Sequence, residues 1–280
     1  MNRQTAPFGR RAATVNAREQ HGAYVVIRCL DRHGPRPHAG QFYMLAAAER
    51  WGGGEGERPF LPRAFSVLGA KPRADGVDLH FLIEDVGPGT KRLAELDVGE
   101  ALLLVGPLGN GFAPPREGRA PLLVGGGVGI APLAIWQDQL EGTATTLLGF
   151  RDRHHAEGAG LLEAAAIATD DGSAGHHGLV TELLEDELAA DADNVEVYAC
   201  GPPAMLEAVR ELCGDHGVPA QLALESGMAC GFGACFGCVV PTADGYIRLC
   251  VDGPVVDAEK LETALVAGAG HRAPTSRAGH

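Results

Sequence analysis

The chain has 280 residues, 45% of them hydrophobic and 21% charged, and its 23 basic and 36 acidic residues give a formal net charge of −13. This composition excludes a disordered or fibrous protein, and the acidic balance argues against a nucleic-acid partner because phosphate contacts need a basic face. No segment approaches the ~20 apolar residues of a membrane helix, and the first residues lack the apolar core of a signal peptide. We therefore expect a cytoplasmic protein without a membrane partner.

The first part of the chain has short apolar segments separated by Gly and Pro, which is the pattern of β-strands. Five strands are predicted, at residues 23–30, 41–47, 64–70, 77–86 and 101–108. They indicate an antiparallel barrel or sandwich over residues 1–117, with residues 1–20 flexible and Glu49–Pro59 in an exposed loop. One helix is predicted in this part, from Thr90 to Leu96 and capped by Thr90.

From Ala120 the pattern changes to strands that alternate with helices. The segments in order are PLLVGGG, APLAIWQDQL, TATTLLGF, LLEAAAIA, TELLEDELA, VEVYACG and PAMLEAVRELCG. This alternation predicts a Rossmann-like parallel sheet wrapped by helices over residues 118–222. A lobe rich in Gly and Cys is expected at residues 223–262, and residues 263–280 have no periodicity and are predicted to be a disordered tail.

Four of the seven cysteines lie in one short segment. Cys230, Cys235 and Cys238 have the spacing C-x4-C-x2-C, and Cys250 follows after eleven residues. This is the plant-type spacing of [2Fe-2S] ligands, in which the loop must fold closely around the cluster. Glycines between the cysteines supply the backbone freedom that such a loop needs, and the sequence therefore predicts a cluster held by these four thiolates.

Zinc is the alternative metal, since it also takes four cysteines, but usually in two separated C-x2-C pairs. The four residues between Cys230 and Cys235 disfavour it. Cys29 and Cys213 have the surroundings of ordinary core cysteines.

Two glycine-containing segments each follow a predicted strand and precede a helix. The first contains Gly125, Gly126, Gly127 and Gly129, and the second is Cys200-Gly201-Pro202. Because ligands of open α/β sheets bind beyond the carboxyl ends of the strands, both segments are expected to face one nicotinamide nucleotide. In the alternative interpretation Cys200 is a core residue and Pro202 only begins a helix.

The barrel contains two weaker signals. Arg63-Ala64-Phe65-Ser66 places a cation, an aromatic ring and a hydroxyl on one strand, and alternation puts Arg63 and Phe65 on one face and Ser66 on the other unless the strand bulges. Such a segment is more often structural than functional. A helix cap of the phosphate-binding type is predicted at Gly87-Pro88-Gly89-Thr90.

In this order the motifs RAFS, GPGT, GPLGNGF, GGGVGIAPL and ACGPPAML resemble the ferredoxin–NADP reductase superfamily. With ESGMACGFGACFGC and CVDGPVVDA added, the chain resembles the electron transfer subunit of type B dihydroorotate dehydrogenase, from about residue 20 to residue 260. The resemblance implies three parts: an FAD-binding β-barrel (1–117), an NAD-binding α/β domain (118–222) and a [2Fe-2S] lobe (223–262).

The resemblance also implies roles for residues. Arg63 would bind the FAD phosphates, Ser66 would lie at the reactive edge of the flavin, and Ala64 and Phe65 belong to the same motif. Leu82, Ile83 and Glu84 would line the flavin, and Gly89 and Thr90 would hold phosphate. Two positions depart from the family pattern: Ala64, where relatives often have proline, and Gly227, where many have an arginine.

The function implied by the resemblance is electron transfer from dihydroorotate, through the FMN of a catalytic partner subunit, the [2Fe-2S] cluster and FAD, to NAD⁺ in pyrimidine biosynthesis. The complex would contain two copies of each subunit. A subunit of an NAD(P)H-dependent ferredoxin reductase or of a soluble hydrogenase is the nearest alternative, and a non-enzymatic zinc-binding or redox-sensing module is another. Arg151 and Asp152 offer both a cation and an anion near the expected ribose, so only the resemblance favours NAD over NADP.

Overall fold

The computed structural model describes residues 9–52, 59–141 and 143–266. Its N-terminal part is a closed antiparallel barrel with the strand order β1-β2-β5-β4-β3-β6. The strands are β1 (Arg11–His21), β2 (Tyr24–Asp31), β3 (Phe42–Ala47), β4 (Arg63–Arg73), β5 (Gly76–Glu84) and β6 (Ala101–Leu108). The five predicted strands are confirmed to within a few residues, and the barrel, rather than a sandwich, is the observed architecture.

Strand β1 corrects the prediction that residues 1–20 are flexible. It pairs with β2 on one side and with β6 on the other, and so closes the barrel. Ala13 and Val15 are buried at alternate positions, while Ala12, Thr14 and Asn16 are exposed. The strand was missed because its inward side chains are small and its outward ones are polar. Residues 1–8 lie outside the described residues, as do residues 53–58 of the predicted loop.

The helix of the barrel, α1 (Pro88–Ala94), begins two residues earlier than predicted. Gly87 is its N-cap and Pro88 its first residue, a position at which the missing N–H of proline costs nothing. Thr90 is therefore inside the first turn, where its Oγ1 accepts hydrogen bonds from the backbone N–H groups of Val86 (2.9 Å) and Gly87 (3.0 Å).

The second part is a seven-stranded sheet with helices, in the order β10-β9-β8-β7-β11-β12-β15. All neighbouring strands are parallel except β12 and β15. The elements are β7 (Ala120–Gly126), α2 (Ile130–Gln139), β8 (Thr145–Phe150), α3 (Arg153–Ala156), β9 (Ala165–Thr169), β10 (His176–His177), α4 (Val180–Asp191), β11 (Val195–Cys200), α5 (Pro203–Asp215), β12 (Ala220–Ala223) and β15 (Val255–Asp257).

The predicted parallel sheet is confirmed, with one local difference. The alternation of strands and helices predicts a helix at LLEAAAIA (residues 161–168). In the structure the first residue of this segment is the last of a 3₁₀ turn (Glu157–Leu161), and the segment then continues into β9. Its alanines favour a helix, and pairing with β8 decides against it.

The C-terminal lobe contains a hairpin of β13 (Val239–Thr242) and β14 (Gly245–Arg248), followed by α6 (Leu249–Asp252). It is joined to both other parts of the molecule. Strand β15 pairs with β12, and the Asn110 side chain of the barrel donates to the Asp252 carbonyl at 3.0 Å. A Cβ on Gly231 would lie 2.5 Å from Cγ of Met44, so the cysteine loop also packs against β3.

The described start of the predicted tail is ordered. Ala264 is buried, its N–H and the Thr263 hydroxyl donate to the Glu207 carboxylate, and these contacts tie the segment to α5. Residues 267–280 lie outside the described residues. No helix in the described part of the chain is long and apolar enough to span a membrane.

Candidate functional site

A cleft of about 520 Å³ opens between the barrel and the start of the C-terminal lobe. That volume is typical of a cofactor site. Seven of the residues predicted to bind FAD line it: Arg63, Ala64, Phe65, Ser66, Leu82, Glu84 and Thr90. Ile83 and Gly89 do not line it. Ile83 is buried in the barrel core, and Gly89 packs against Arg63, where a Cβ would come within 2.7 Å of Nε.

All four residues of the RAFS segment face this cleft, although alternation alone would divide them between two faces. Residues 63–66 pair with β3, but the pairing of β4 with β5 begins only at Val67. One edge of the segment is therefore open, and the cleft extends around it.

Arg63 is held by contacts on two sides. Its Nη1 donates to the Leu61 carbonyl at 2.6 Å, and its guanidinium lies over the Trp51 ring, 5.9 Å from the centroid. A positioned guanidinium at the wall of a cleft can bind phosphate oxygens with two parallel hydrogen bonds.

A second cleft, of about 560 Å³, lies at the carboxyl ends of the parallel strands. Five of the residues predicted to bind the nucleotide line it: Gly126, Gly127, Gly129, Gly201 and Pro202. The strand order reverses between β7 and β11, so this is the topological switch point at which α/β sheets bind ligands.

Two predicted residues of this region are buried beneath the cleft. Gly125 fits among Leu148, Leu133 and Ile130, each of which would lie within 3.2 Å of an added Cβ. Cys200 is 2% exposed, and burial holds the pKa of its thiol well above the usual value. Their surroundings support packing: a Cβ on Gly129 would lie 2.3 Å from the Cys200 carbonyl oxygen.

An ionic network that sequence reasoning missed joins the barrel to the α/β domain at this cleft. Glu84, at the end of β5, accepts a hydrogen bond of 2.5 Å from Nη2 of Arg151, and its Oε1 lies 3.5 Å from Nε2 of His155. Nδ1 of His155 lies 2.7 Å from Oδ1 of Asp152, and Tyr24 packs edge-on against the His155 ring. Only the position of Arg151 and Asp152 after a strand could have indicated this site.

Glu225 was also missed, and it lines both clefts together with Glu84 and Val128. Glu225 is exposed to the clefts, and the protein atoms packed around its carboxyl desolvate it and raise its pKa to about 7. The next residue, Ser226, lines the first cleft and has a buried hydroxyl without a hydrogen-bond partner. A buried donor of this kind is typical of a site that binds a polar ligand.

The cysteine loop follows directly from that wall, since residues 225–229 line the first cleft and Cys230 comes next. Sγ of Cys238 lies 3.2 Å from Sγ of Cys250, and both residues are buried. Burial alone would raise the pKa of the Cys230 thiol, but hydrogen bonds from the backbone N–H groups of Cys235, Phe232 and Ala234 and from the Cys235 side chain lower it to about 6. Burial and the neighbouring Cys238 raise the pKa of Cys250 to about 12.

The backbone of this loop fits an iron–sulfur cluster. Gly231 and Gly233 have φ values of +80° and +87°, which only glycine adopts at little cost. The N–H groups of Gly237 and Cys250 point at cysteine sulfurs, each at 3.5 Å, in addition to those around Cys230. Main-chain donors directed at sulfur are what a cluster needs from its surroundings.

Within residues 9–52, 59–141 and 143–266, no group of three or more His, Cys, Asp or Glu side chains could hold a metal ion as it stands.

The sequence between residues 225 and 262 matches the profile of the iron-sulfur cluster binding domain of dihydroorotate dehydrogenase B. The electron transfer subunit of dihydroorotate dehydrogenase B (NAD(+)) from Geobacillus thermodenitrificans is 43% identical over 236 residues, 79% of this chain and 86% of that protein. The corresponding subunit from Caldanaerobacter subterraneus subsp. tengcongensis is 38% identical over 81% of this chain and 88% of that protein.

Solved structures agree on the fold. The structure titled "Insights into flavin-based electron bifurcation via the NADH-dependent reduced ferredoxin-NADP oxidoreductase structure" superposes with a TM-score of 0.74 at 26% identity, covering 92% of both chains. A ferredoxin reductase of carbazole 1,9a-dioxygenase superposes with a TM-score of 0.61 over 75% of this chain and 66% of that one, at 24% identity. On the extent and identity of the curated matches, the chain belongs to the family of dihydroorotate dehydrogenase B (NAD(+)) electron transfer subunits.

Proposed function

We propose that this chain passes electrons from the FMN of a dihydroorotate-oxidising partner subunit, through a [2Fe-2S] cluster and FAD, to NAD⁺. One observation carries the proposal: the first cleft, which we assign to FAD and call the flavin cleft, adjoins both of the other sites. It shares Glu84, Val128 and Glu225 with the second cleft, which we assign to NAD and call the nucleotide cleft, and its wall at residues 225–229 leads directly into Cys230. A carrier in this cleft would therefore lie between a nucleotide and a cluster.

The residues of the chain would position these groups. Arg63 would bind the FAD phosphates, Phe65, Ser66 and Leu82 would contact the flavin, and the four cysteines would ligate the iron. When bound, FAD supplies an exchange of two electrons with a nicotinamide and of single electrons with the cluster. Thr90 Oγ1 accepts from the N–H groups of Val86 and Gly87 and donates to the Gly87 carbonyl at 3.0 Å, so its proposed contact with phosphate would require the hydroxyl to give up that carbonyl.

The domain boundaries at 117/118, 222/223 and 262/263 remain our proposal. The second boundary falls within the last residues of β12, and β15 of the lobe pairs with that strand. We therefore expect the lobe and the α/β domain to unfold together rather than as separate units.

We also propose where the partner binds. Phe232 and Phe236 are 48% and 62% exposed in the cysteine loop, and Phe236 has a φ of +59°, which is unfavourable for a bulky residue. Arg248 covers one face of the Phe236 ring at 5.5 Å. Aromatic and arginine side chains of this kind are enriched in interfaces, and a partner that docks here would bring its flavin close to the cluster. The proposed complex contains two copies of each subunit.

A cytoplasmic location agrees with the state of the thiols. None of the seven cysteines forms a disulfide bond. Thiolate ligands and unpaired core cysteines persist in the reducing cytoplasm, so we propose that the complex works there.

Reconstitution tests the function. The isolated chain is expected to oxidise NADH with an artificial dye but to give no dihydroorotate-dependent reduction of NAD⁺, because nothing in the proposed site would oxidise dihydroorotate. Co-expression with the FMN subunit should create that activity, and the purified complex should release FAD and FMN in equal amounts. Turnover of dihydroorotate by the isolated chain would contradict the proposal, as would the absence of FAD.

The similarity to the NADH-dependent reduced ferredoxin-NADP oxidoreductase structure over 92% of the chain supports a second candidate, transfer of electrons to a ferredoxin. The two functions differ in the acceptor. NADH-dependent reduction of a ferredoxin by the isolated chain, together with no gain of activity from the FMN subunit, would favour the second.

A further inference from the structure

The cysteine loop (residues 230–238) lies in a stretch of the chain that has very few charged side chains. No Asp, Glu, Lys or Arg occurs from residue 226 to residue 243. Residues 223–262 contain two cations, Arg248 and Lys260. Contacts in the structure decide which of the two acts on the cysteines.

Arg248 lies directly against the loop. It is the last residue of β14, and its Nη1 donates to the Gly233 carbonyl at 3.3 Å. A Cβ on Gly233 would lie 3.2 Å from the same nitrogen, and Cζ of Arg248 lies 5.5 Å from the centroid of the Phe236 ring. Because Gly233 stands between Cys230 and Cys235, the guanidinium is held over the middle of the ligand segment.

The contact with Gly233 also connects Arg248 to a cysteine sulfur through one peptide group. The Gly233 carbonyl and the Ala234 N–H belong to the same peptide, and this N–H donates to the Cys230 sulfur. Hydrogen bonds at the two ends of a peptide polarise each other, and a charged donor at the carbonyl strengthens the N–H as a donor. Arg248 therefore strengthens a hydrogen bond that the Cys230 sulfur accepts.

One carboxylate opposes this cation. Oδ2 of Asp252 lies 3.7 Å from Nε of Arg248 and accepts a hydrogen bond of 2.9 Å from the Arg248 backbone N–H. The guanidinium thus presents Nη1 to the loop and Nε to the carboxylate. Asp252 reduces the effect of the charge on the loop without ending it, because Nη1 stays engaged with Gly233.

We propose, on the basis of the proposed cluster site, that Arg248 is a positioning residue whose charge raises the reduction potential of the cluster. Reduction adds a negative charge to a group already held by four thiolates. A nearby cation and stronger hydrogen bonds to the sulfurs both favour the reduced form. Arg248 therefore makes the cluster a better acceptor of electrons from the partner and a weaker donor of electrons to FAD.

The test is a potentiometric titration of the isolated, FAD-loaded chain, followed by the paramagnetic signal of the reduced cluster. Arg248→Gln should lower the potential and shift the one-electron equilibrium between cluster and FAD by about three- to tenfold, where tenfold is about 59 mV. Arg248→Lys, which keeps the charge, should recover most of this shift. Because the partner subunit is absent, an effect of the substitution on docking does not enter the measurement.

Two further variants test the sign of the effect. Asp252→Asn keeps an acceptor for the Arg248 N–H and removes the opposing charge, so it should raise the potential. Lys260→Gln is the matched control. It removes the other cation of the lobe, which is paired with Asp257 at 2.5 Å, and it should leave the potential unchanged.

Iron and acid-labile sulfide are measured in every variant, so that loss of the cluster is separated from a change in its potential. An iron-replete Arg248→Gln chain with the potential of the natural chain would overturn the proposal. Equal shifts in Arg248→Gln and Arg248→Lys would also overturn it, because they would show that the charge has no part.

If Arg248→Gln does not retain iron, Asp252→Asn decides. A raised potential in that variant supports the proposal, and an unchanged or lowered one overturns it. If the natural chain itself holds no iron–sulfur cluster, the proposed cofactor site is wrong, and this outcome is distinguishable from the others.

Discussion

The cysteine loop and the nucleotide cleft are built in opposite ways. The four proposed ligands of the loop fall within 21 consecutive residues, and its hydrogen-bond donors are backbone N–H groups of the same segment. The charged residues of the cleft come from distant parts of the chain, since Glu84 and Arg151 are 67 positions apart. They meet only because two strands of different sheets end side by side. A site within one loop can be recognised from spacing, whereas a site between strand ends depends on the fold.

The two regions also differ in how they shift the pKa of their acidic groups. In the loop, main-chain hydrogen bonds outweigh burial and lower the pKa of the Cys230 thiol to about 6. At the junction of the clefts, desolvation acts without such bonds and raises the pKa of Glu225 to about 7. Main-chain donors therefore stabilise the thiolate of Cys230, while the surroundings of Glu225 disfavour a negative charge.

The largest expected effect comes from the loop. Natural protein should contain two irons and acid-labile sulfide per chain, and Cys235→Ser should remove most of the iron. Dihydroorotate-dependent reduction of NAD⁺ by the complex should then fall by roughly 100-fold or more, while the NADH–dye reaction, which needs only FAD, should change by less than about threefold.

Cys213→Ser is the matched control, because Cys213 lies in the core between α5 and the sheet and should not affect the iron content. Stoichiometric zinc without sulfide in the natural protein would contradict the assignment of a [2Fe-2S] cluster. Full coupled activity in the Cys235→Ser complex would show instead that electrons bypass the cluster.

An intermediate effect is expected in the flavin cleft. Arg63→Ala should weaken FAD binding by about 10- to 100-fold, since hydrogen bonds to charged groups contribute roughly 1.5–3 kcal/mol. Equilibrium titration of the apoprotein, followed by flavin fluorescence, measures this. Lys71→Ala, which removes an exposed cation further along the same strand, should leave the affinity unchanged. Equal affinity in Arg63→Ala and the natural chain would exclude Arg63 from the site.

The smallest effect is on stability and comes from Glu225, whose pKa is raised from 4.5 to about 7. Between these two values the folded carboxyl keeps its proton while the unfolded one is ionised, so the folded state binds more protons. The contribution of Glu225 to the free energy of unfolding therefore falls as the pH rises through this window, and is fully lost above about pH 7.

Urea unfolding of the natural chain and of Glu225→Gln at pH 5 and pH 8 tests this sign. The stability of the natural chain relative to the variant should decrease from pH 5 to pH 8, whereas Glu185→Gln, on the exposed face of α4, should show no such trend. A difference that stays constant, or grows, would show that the pKa of Glu225 is not raised in the folded chain.

The family and the cofactor signatures could be predicted from sequence because they depend on local patterns. The spacing of glycines and cysteines within a single loop indicates a binding site, and the alternation of strands and helices follows from hydrophobic periodicity. The predictions that failed have physical reasons of their own. Strand β1 has mostly small and polar residues and is stabilised by its pairing in the closed barrel. Ala264 packs in an apolar cluster, and its N–H donates to the Glu207 carboxylate.

The order of barrel, parallel sheet and cysteine lobe, and the residue types available at each strand end, follow from the sequence. Only the folded chain shows which of these residues face a cleft: Gly126 but not Gly125, and Leu82 but not Ile83. It also decided that Glu84 meets Arg151 and that Glu225 borders both clefts. The reason is that neighbours across two sheets are set by strand order and barrel closure, which bring together residues whose separation along the chain carries no periodic signal.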